Sequence, residues 1–168
     1  MPVTARFPIL ALTCAALWPL PAAAQEVVDL GASARPDGWA VVETGMDFDA
    51  LVEAVRGAAK TGGLAVVTQA GPTGAAARRG IEIPGNRVLG LFNNDFAVRI
   101  LRLSTPAMIE APVRVYVTED ADGTATLGYV RPSVVFAEYV ADSADPAAFR
   151  AVLAELDAAF AAVARAVE

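Results

Sequence analysis

Apolar and polar positions follow two different periods along the chain. Five short segments are rich in aliphatic, β-branched or aromatic residues and end at turn-forming residues, which is typical of strands. These segments are residues 39–44, 64–68, 88–92, 112–119 and 124–131. Residues 88–92 (VLGLF) are apolar on both faces, so we expect a central strand that is covered on both sides.

Other segments repeat apolar residues at helical spacing. The clearest ones begin after Asp47, run from Phe96 to Leu103, and follow Asp145-Pro146, where Asp is expected as the N-cap and Pro as the first helical residue. A short Ala-rich helix capped by Thr73 and another beginning at Pro132 are also predicted. The element order is therefore β-α-β-(α)-β-α-β-β-α-α. This order predicts a single α+β domain with a mixed or mostly antiparallel sheet of about five strands.

The N-terminus has the pattern of a secretory leader. Arg6 precedes an apolar run over residues 7–20, and Pro21-Ala22-Ala23-Ala24 follows it. We expect cleavage after Ala24 and a periplasmic or secreted protein. An uncleaved anchor is the alternative, although the run is shorter than the ~20 residues that span a bilayer. We divide the chain into a signal peptide (1–24), an N-terminal arm (25–38), the α+β domain (39–142) and a C-terminal amphipathic helix (143–168).

Composition excludes several classes of function. The net charge is −6, which argues against nucleic-acid binding, since that requires clustered positive charge. The chain has no His, so His-based triads, bases and metal ligands are absent. The single Cys, Cys14, is removed with the leader. We predict no cofactor, no metal site and no assignable catalytic residue. Two alternatives stay open: an enzyme that uses carboxylates or Tyr129, and a metal-handling protein that uses Met46 and Met108.

A hairpin around Asp120-Ala121-Asp122-Gly123 gives the most structured candidate site. With a loop of two or four residues, Val113, Val115 and Val117 share the core face with Thr126, Gly128 and Val130. The opposite face then carries Arg114, Tyr116 and Thr118 with Leu127, Tyr129 and Arg131. Its two arginines and two tyrosines fit three interpretations: a plain surface whose arginines pair with Glu110 or Glu119, a protein interface, or a site for a small anionic ligand.

Asn93 and Asn94 lie where a predicted strand gives way to a helix. The free N–H groups at such an end can hold an anion, but Asn residues at this position more often cap the helix. We therefore expect a cap and keep both residues as ligand candidates.

The order of these elements resembles the domain of unknown function family numbered 302, a group of small bacterial domains. The matching residues are Asp47-Phe48, Gly63, Leu89-Gly90-Leu91-Phe92-Asn93, Ala111-Pro112-Val113-Arg114-Val115-Tyr116-Val117, Asp122-Gly123, Tyr129 and Pro132. The chain departs from the family pattern at Asn93-Asn94, where members often have Asn-Pro, and at Glu110-Ala111-Pro112, where they often have Asp-Leu-Pro. The resemblance spans 47–139, leaves the final helix outside, and implies a compact α+β domain that is often a homodimer.

The sequence therefore predicts an exported, non-catalytic module that binds a ligand or a partner. A homodimer is the expected assembly, and the final helix is expected to cover either its own sheet or a second subunit.

Overall fold

A computed structural model describes residues 37–168 of the protein. The leader and residues 25–36 of the predicted arm lie outside the described residues. The strands are β1 (Trp39–Thr44), β2 (Ala65–Ala70), β3 (Asn86–Phe92), β4 (Val113–Glu119) and β5 (Ala125–Val130). The α-helices are α1 (Phe48–Thr61), α2 (Thr73–Ala77), α3 (Asn94–Leu103), α4 (Pro132–Val135) and α5 (Pro146–Arg165), and 3₁₀ turns form at Pro106–Glu110 and Ala137–Tyr139.

The five strands form one sheet in the order β1-β5-β4-β3-β2, and each neighbouring pair is antiparallel. This confirms the predicted α+β class and element order. Residues 88–92 lie in an interior strand as expected, since β3 is paired with β2 on one side and with β4 on the other; the middle strand of the five is β4. On the face of β3 that points away from the helices, Val88 lines a surface cleft.

The core lies between one face of the sheet and a layer of helices. Leu89, Val115 and Leu127 point into it from three neighbouring strands and are almost completely buried. Helix α1 packs on β4 and β5, and α5 packs on α1, α3 and α4. The final helix therefore covers its own domain. No helix within residues 37–168 combines the length and the apolar character that crossing a membrane requires.

Side-chain caps fix where three helices begin. The carboxylates of Asp47 and Asp145 accept backbone N–H groups at the starts of α1 and α5, as predicted. Asn93 caps α3 in the same way. The predicted Thr73 cap is wrong. Its hydroxyl instead donates to the Pro84 carbonyl at 3.2 Å, because the chain between α2 and β3 folds back over the start of that helix.

The β4–β5 hairpin corrects the expected pairing. Its loop has five residues, since Glu119 opposes Ala125 and the Asp120 N–H donates to the Thr124 carbonyl at 2.8 Å. The Asp122 carboxylate draws Thr124 into the turn by accepting from both its N–H and its hydroxyl. An odd loop reverses every side chain of β5 relative to the expected faces. The residues that share the core face are Val113, Val115, Val117, Ala125, Leu127 and Tyr129.

Candidate functional site

The corrected register defines the outward face of the sheet, opposite the helix layer. Three rows of side chains cross the sheet from β1 towards β3. Trp39, Val130 and Arg114 form the first row; Val41, Gly128, Tyr116 and Val88 form the second; Glu43, Thr126, Thr118 and Asn86 form the third. Gly128 is therefore surrounded by larger side chains on both neighbouring strands.

A cleft of about 490 Å³ opens on this face. Its volume lies within the ~300–1,000 Å³ that small-molecule sites occupy. Gly128 has no side chain in the second row, whereas its partners on either side, Val41 and Tyr116, do. A glycine inside a strand often marks a place where another molecule approaches the backbone closely. The lining residues are Trp39, Asn86, Val88, Val113, Arg114, Tyr116, Gly128, Tyr129, Val130 and Val135.

Arg114 places an exposed positive charge at the rim of the cleft. Within residues 37–168 its guanidinium makes no ion pair and no hydrogen bond. The two acids considered as its partners are engaged elsewhere: Glu119 accepts from the Gly85 N–H at 2.6 Å, and Glu110 accepts from the Tyr139 hydroxyl at 3.1 Å. The interpretation in which these acids neutralise Arg114 is therefore wrong.

Tyr116 supplies a polar group inside the cleft. The side-chain amide N–H of Asn86 donates to its hydroxyl oxygen, across the β3–β4 pair. Because the oxygen accepts this bond, the phenolic proton stays available to a further acceptor. The cleft thus combines a charged donor and a neutral donor with aromatic and aliphatic walls.

The other two predicted residues of the hairpin lie elsewhere. Tyr129 is on the core face with 5% of its surface exposed, and its ring packs against Phe160 at 5.7 Å between centroids. It still reaches the end of the cleft. Burial, followed by the nearby Asp157 carboxylate, raises the pKa of the Tyr129 phenol, so this group is neutral at physiological pH. Arg131 is exposed, does not line the cleft, and donates its backbone N–H to the Gly38 carbonyl.

Asn93 and Asn94 are not among the residues that line the cleft. The Asn93 side-chain oxygen accepts from the N–H groups of Asp95 and Phe96, and its amide donates to the Gly63 carbonyl at 2.8 Å. All of these groups serve the helix cap and the adjoining turn. Asn94 is exposed in the first turn of α3.

The groups needed by the two alternative chemistries are not assembled here. No Asp or Glu lines the cleft of the described residues. In the described part of the chain, no cluster of three or more His, Cys, Asp or Glu could hold a metal ion. Met46 and Met108 are partly buried against the core from separate elements, the β1–α1 connection and the 3₁₀ turn before β4. Their packing is typical of core-filling methionine.

Seven of the ten lining residues named above were missed by the sequence analysis: Trp39, Asn86, Val88, Val113, Gly128, Val130 and Val135. A signal existed for one of them, since Gly128 interrupts an otherwise β-forming segment. Trp39 and Asn86 lie 74 and 27 residues before Val113, the first residue of the hairpin, and only the sheet order brings them to it.

Comparison with known proteins places this architecture in a family. The family described as "Domain of unknown function DUF302" matches residues 40–163, so the chain belongs to it. The match includes most of α5, which corrects the expectation that the final helix lies outside the family domain. Among solved structures, the chain is similar to an uncharacterized conserved protein DUF302 from Bacillus stearothermophilus, with a TM-score of 0.68 and 19% identity. The similarity covers 79% of this chain and 100% of that chain. No curated protein matches.

Proposed function

We propose that this protein is an exported binding module that holds a small ligand in the sheet-face cleft without changing it chemically. The observation that carries the proposal is the convergence of Arg114, Tyr116 and Trp39 on a cleft that no carboxylate of residues 37–168 lines. The Arg114 guanidinium, which has no hydrogen-bond or ion-pair partner within residues 37–168, favours an anionic ligand. The two aromatic side chains favour a ligand with an apolar surface.

Among the described residues that line the cleft, none is an Asp or Glu that could act as a general base, and this argues for binding rather than catalysis. General acid–base chemistry requires a group whose pKa lies near the working pH. Tyr129 keeps its proton at that pH. Turnover that disappears when one carboxylate is replaced would contradict this part of the proposal.

Native mass spectrometry of the protein purified from its source tests the proposal. The expected spectrum shows a chain without residues 1–24 and an added mass of one small molecule per chain. A variant that carries both Trp39→Ala and Tyr116→Ala should lose the added mass, whereas Val67→Ala, at an exposed position of β2 outside the cleft, should keep it. A chain that retains its leader contradicts export, and a ligand-free wild-type protein contradicts ligand binding.

The proposal includes a homodimer. Its support is an exposed apolar surface formed by Val98 and Leu101 of α3 and Ile109 of the neighbouring 3₁₀ turn. Ile109 is 78% exposed, and such side chains on adjoining elements are typical of protein interfaces. Light scattering at micromolar concentration should give the dimer mass. Ile109→Glu combined with Leu101→Glu should give the monomer, whereas Val67→Glu on β2 should not; a wild-type monomer would rule out the dimer.

A further inference from the structure

The geometry of the cleft points to one class of ligand, a monocarboxylate attached to a single flat apolar ring; this inference rests on the proposed function and narrows it. The ring lies over Gly128, beside Trp39 and Tyr116. The carboxylate lies against the guanidinium of Arg114 and accepts the phenolic proton of Tyr116.

The shape of the floor indicates a flat body. Gly128 lines the cleft and carries no side chain, while its strand partners Val41 and Tyr116 and the neighbouring Val130 do. Trp39 and Arg114 belong to the same row but are separated by β5, so their backbone positions are about 10 Å apart. A single ring with one attached acid group fits between them, and indole and phenol rings pack well against flat π-systems.

The donors indicate a carboxylate rather than a phosphate. The backbone N–H groups of the floor belong to β5, which is paired on both sides with β1 and β4. They therefore form no cradle of free N–H groups of the kind that phosphate sites use. Among the side-chain donors of the lining, the planar guanidinium of Arg114 and the phenolic O–H of Tyr116 match the two oxygens of a carboxylate.

The charges of the lining residues argue against a cationic ligand. Within residues 37–168, Arg114 is the one charged side chain among them, and no acid of this part of the chain lines the cleft to offset it. A ligand ammonium group would meet a like charge next to the aromatic side chains that would otherwise attract it. A neutral ligand would leave the guanidinium without a partner.

Benzoate, benzamide and acetate form a suitable panel of probes. Trp18 and Trp39 are the two tryptophans of the chain, so Trp18→Phe in the full-length protein makes Trp39 fluorescence a direct report of cleft occupancy. Benzoate should change this signal at saturation. Benzamide, the neutral isostere, should bind about ten- to a hundredfold more weakly, because it loses the charge-assisted bond. Acetate should bind weakest, because it lacks the ring.

Arg114→Ala should weaken benzoate binding by about ten- to a hundredfold and leave benzamide binding nearly unchanged. Arg131→Ala is the matched control, because it removes an exposed arginine that directly follows β5 and does not line the cleft. It should leave the affinities for benzoate and benzamide within about twofold of the wild type. Both exposed substitutions should preserve the circular dichroism spectrum. Equal affinities for benzoate and benzamide, or equal effects of the two arginine substitutions, would overturn the inference.

Failure of the inference is distinguishable from failure of the proposed function. If native mass spectrometry finds a bound molecule that is not a one-ring carboxylate and Gly128→Val displaces it, the cleft is a ligand site and only the ligand class is wrong. If Trp39 responds to none of the probes and the purified protein carries no ligand, both proposals are wrong.

Discussion

Tyr116 and Gly128 are cross-strand partners on the outward face of the sheet, with the large side chain on β4 directly opposite a position that has none. The contrast creates a space beside the tyrosine ring that a β-branched residue at 128 would fill. On the helix side of the same hairpin, Val117 and Leu127 pair side chain to side chain and are fully buried. One hairpin thus builds a closed core face and an open cleft.

Gly128→Val should close the cleft without unfolding the domain. A β-branched residue in a paired strand favours the extended conformation, so we expect the free energy of unfolding to stay level or rise by ~0.5–1 kcal/mol. Benzoate affinity should fall at least tenfold, measured by Trp39 fluorescence. Gly45→Ala, in a turn where an added Cβ meets no atom within 4 Å, is the control and should leave binding intact. Unchanged binding in Gly128→Val would contradict the assigned cleft.

The two tyrosines of the hairpin should differ in their contributions to stability. Tyr129→Ala removes a buried ring that packs on Phe160 and should lower the free energy of unfolding by about 3–5 kcal/mol. Tyr116→Ala removes a partly exposed ring and should lower it by about 1 kcal/mol. Urea denaturation measures both. Equal losses would support the even-length loop, in which both rings share one face, and would contradict the observed register.

Gly90 and Gly57 should respond in opposite directions to alanine. A Cβ on Gly90 would lie 2.2 Å from the Thr68 hydroxyl oxygen and 2.7 Å from Cγ of the rigid Pro112 ring. Gly90→Ala would displace Thr68 or Pro112, and this should lower the free energy of unfolding by about 1–3 kcal/mol. A Cβ on Gly57 within α1 meets no atom within 4 Å, so Gly57→Ala should raise it by about 0.5–1 kcal/mol. Thermal denaturation of both variants checks the contrast; a gain for Gly90→Ala would contradict this packing.

Tyr139 should make the protein less stable in strong alkali. Desolvation, followed by its hydrogen bond to Glu110, raises the pKa of the Tyr139 phenol from 10 to about 12. The neutral phenol is therefore favoured in the folded state. Its contribution to stability is complete below pH 10, falls as the unfolded chain ionises above that value, and is fully lost above about pH 12.

A comparison of urea midpoints for the wild type and Tyr139→Phe over this range measures the effect. The stability advantage of the wild type should shrink as the pH rises from 10 towards 12. Asn86→Asp, which alters another hydrogen bond of a tyrosine, is a useful comparison, since it leaves the Tyr139–Glu110 contact intact. A difference between wild type and Tyr139→Phe that stays constant with pH would contradict this assignment.

Most of the fold could be predicted from the sequence, because local signals decide where its elements begin and end. Asp47 and Asp145 cap helices that carry apolar stripes, and these features do not depend on distant residues. The order of the strands in the sheet could not be predicted from such local signals. The pairing of β1 with β5 depends on how the sheet closes, and no local pattern near Trp39 specifies that partner.

The candidate site could be predicted only in part, because its faces depend on the length of one loop. Asp122-Gly123 correctly located the hairpin, but Asp122 also bonds Thr124 and brings it into the turn. Because the loop has this fifth residue, Tyr129 faces the core, and Arg114 and Tyr116 share the outward face with Gly128. The hydrophobic pattern held the better signal: Leu127 and Tyr129 are the large residues of β5, and they alternate with the small residues Thr126 and Gly128.

The pairing of the first strand with the last has a consequence for how the molecule matures. β1 has β5 as its neighbour in the sheet, and Trp39 pairs with Val130. β1 therefore cannot pair during synthesis until about 90 residues beyond Trp39 have been made. The side of the cleft that Trp39 lines therefore forms late in folding. A chain that ends before β5 lacks the strand that pairs with β1, and therefore lacks the sheet face on which the cleft lies.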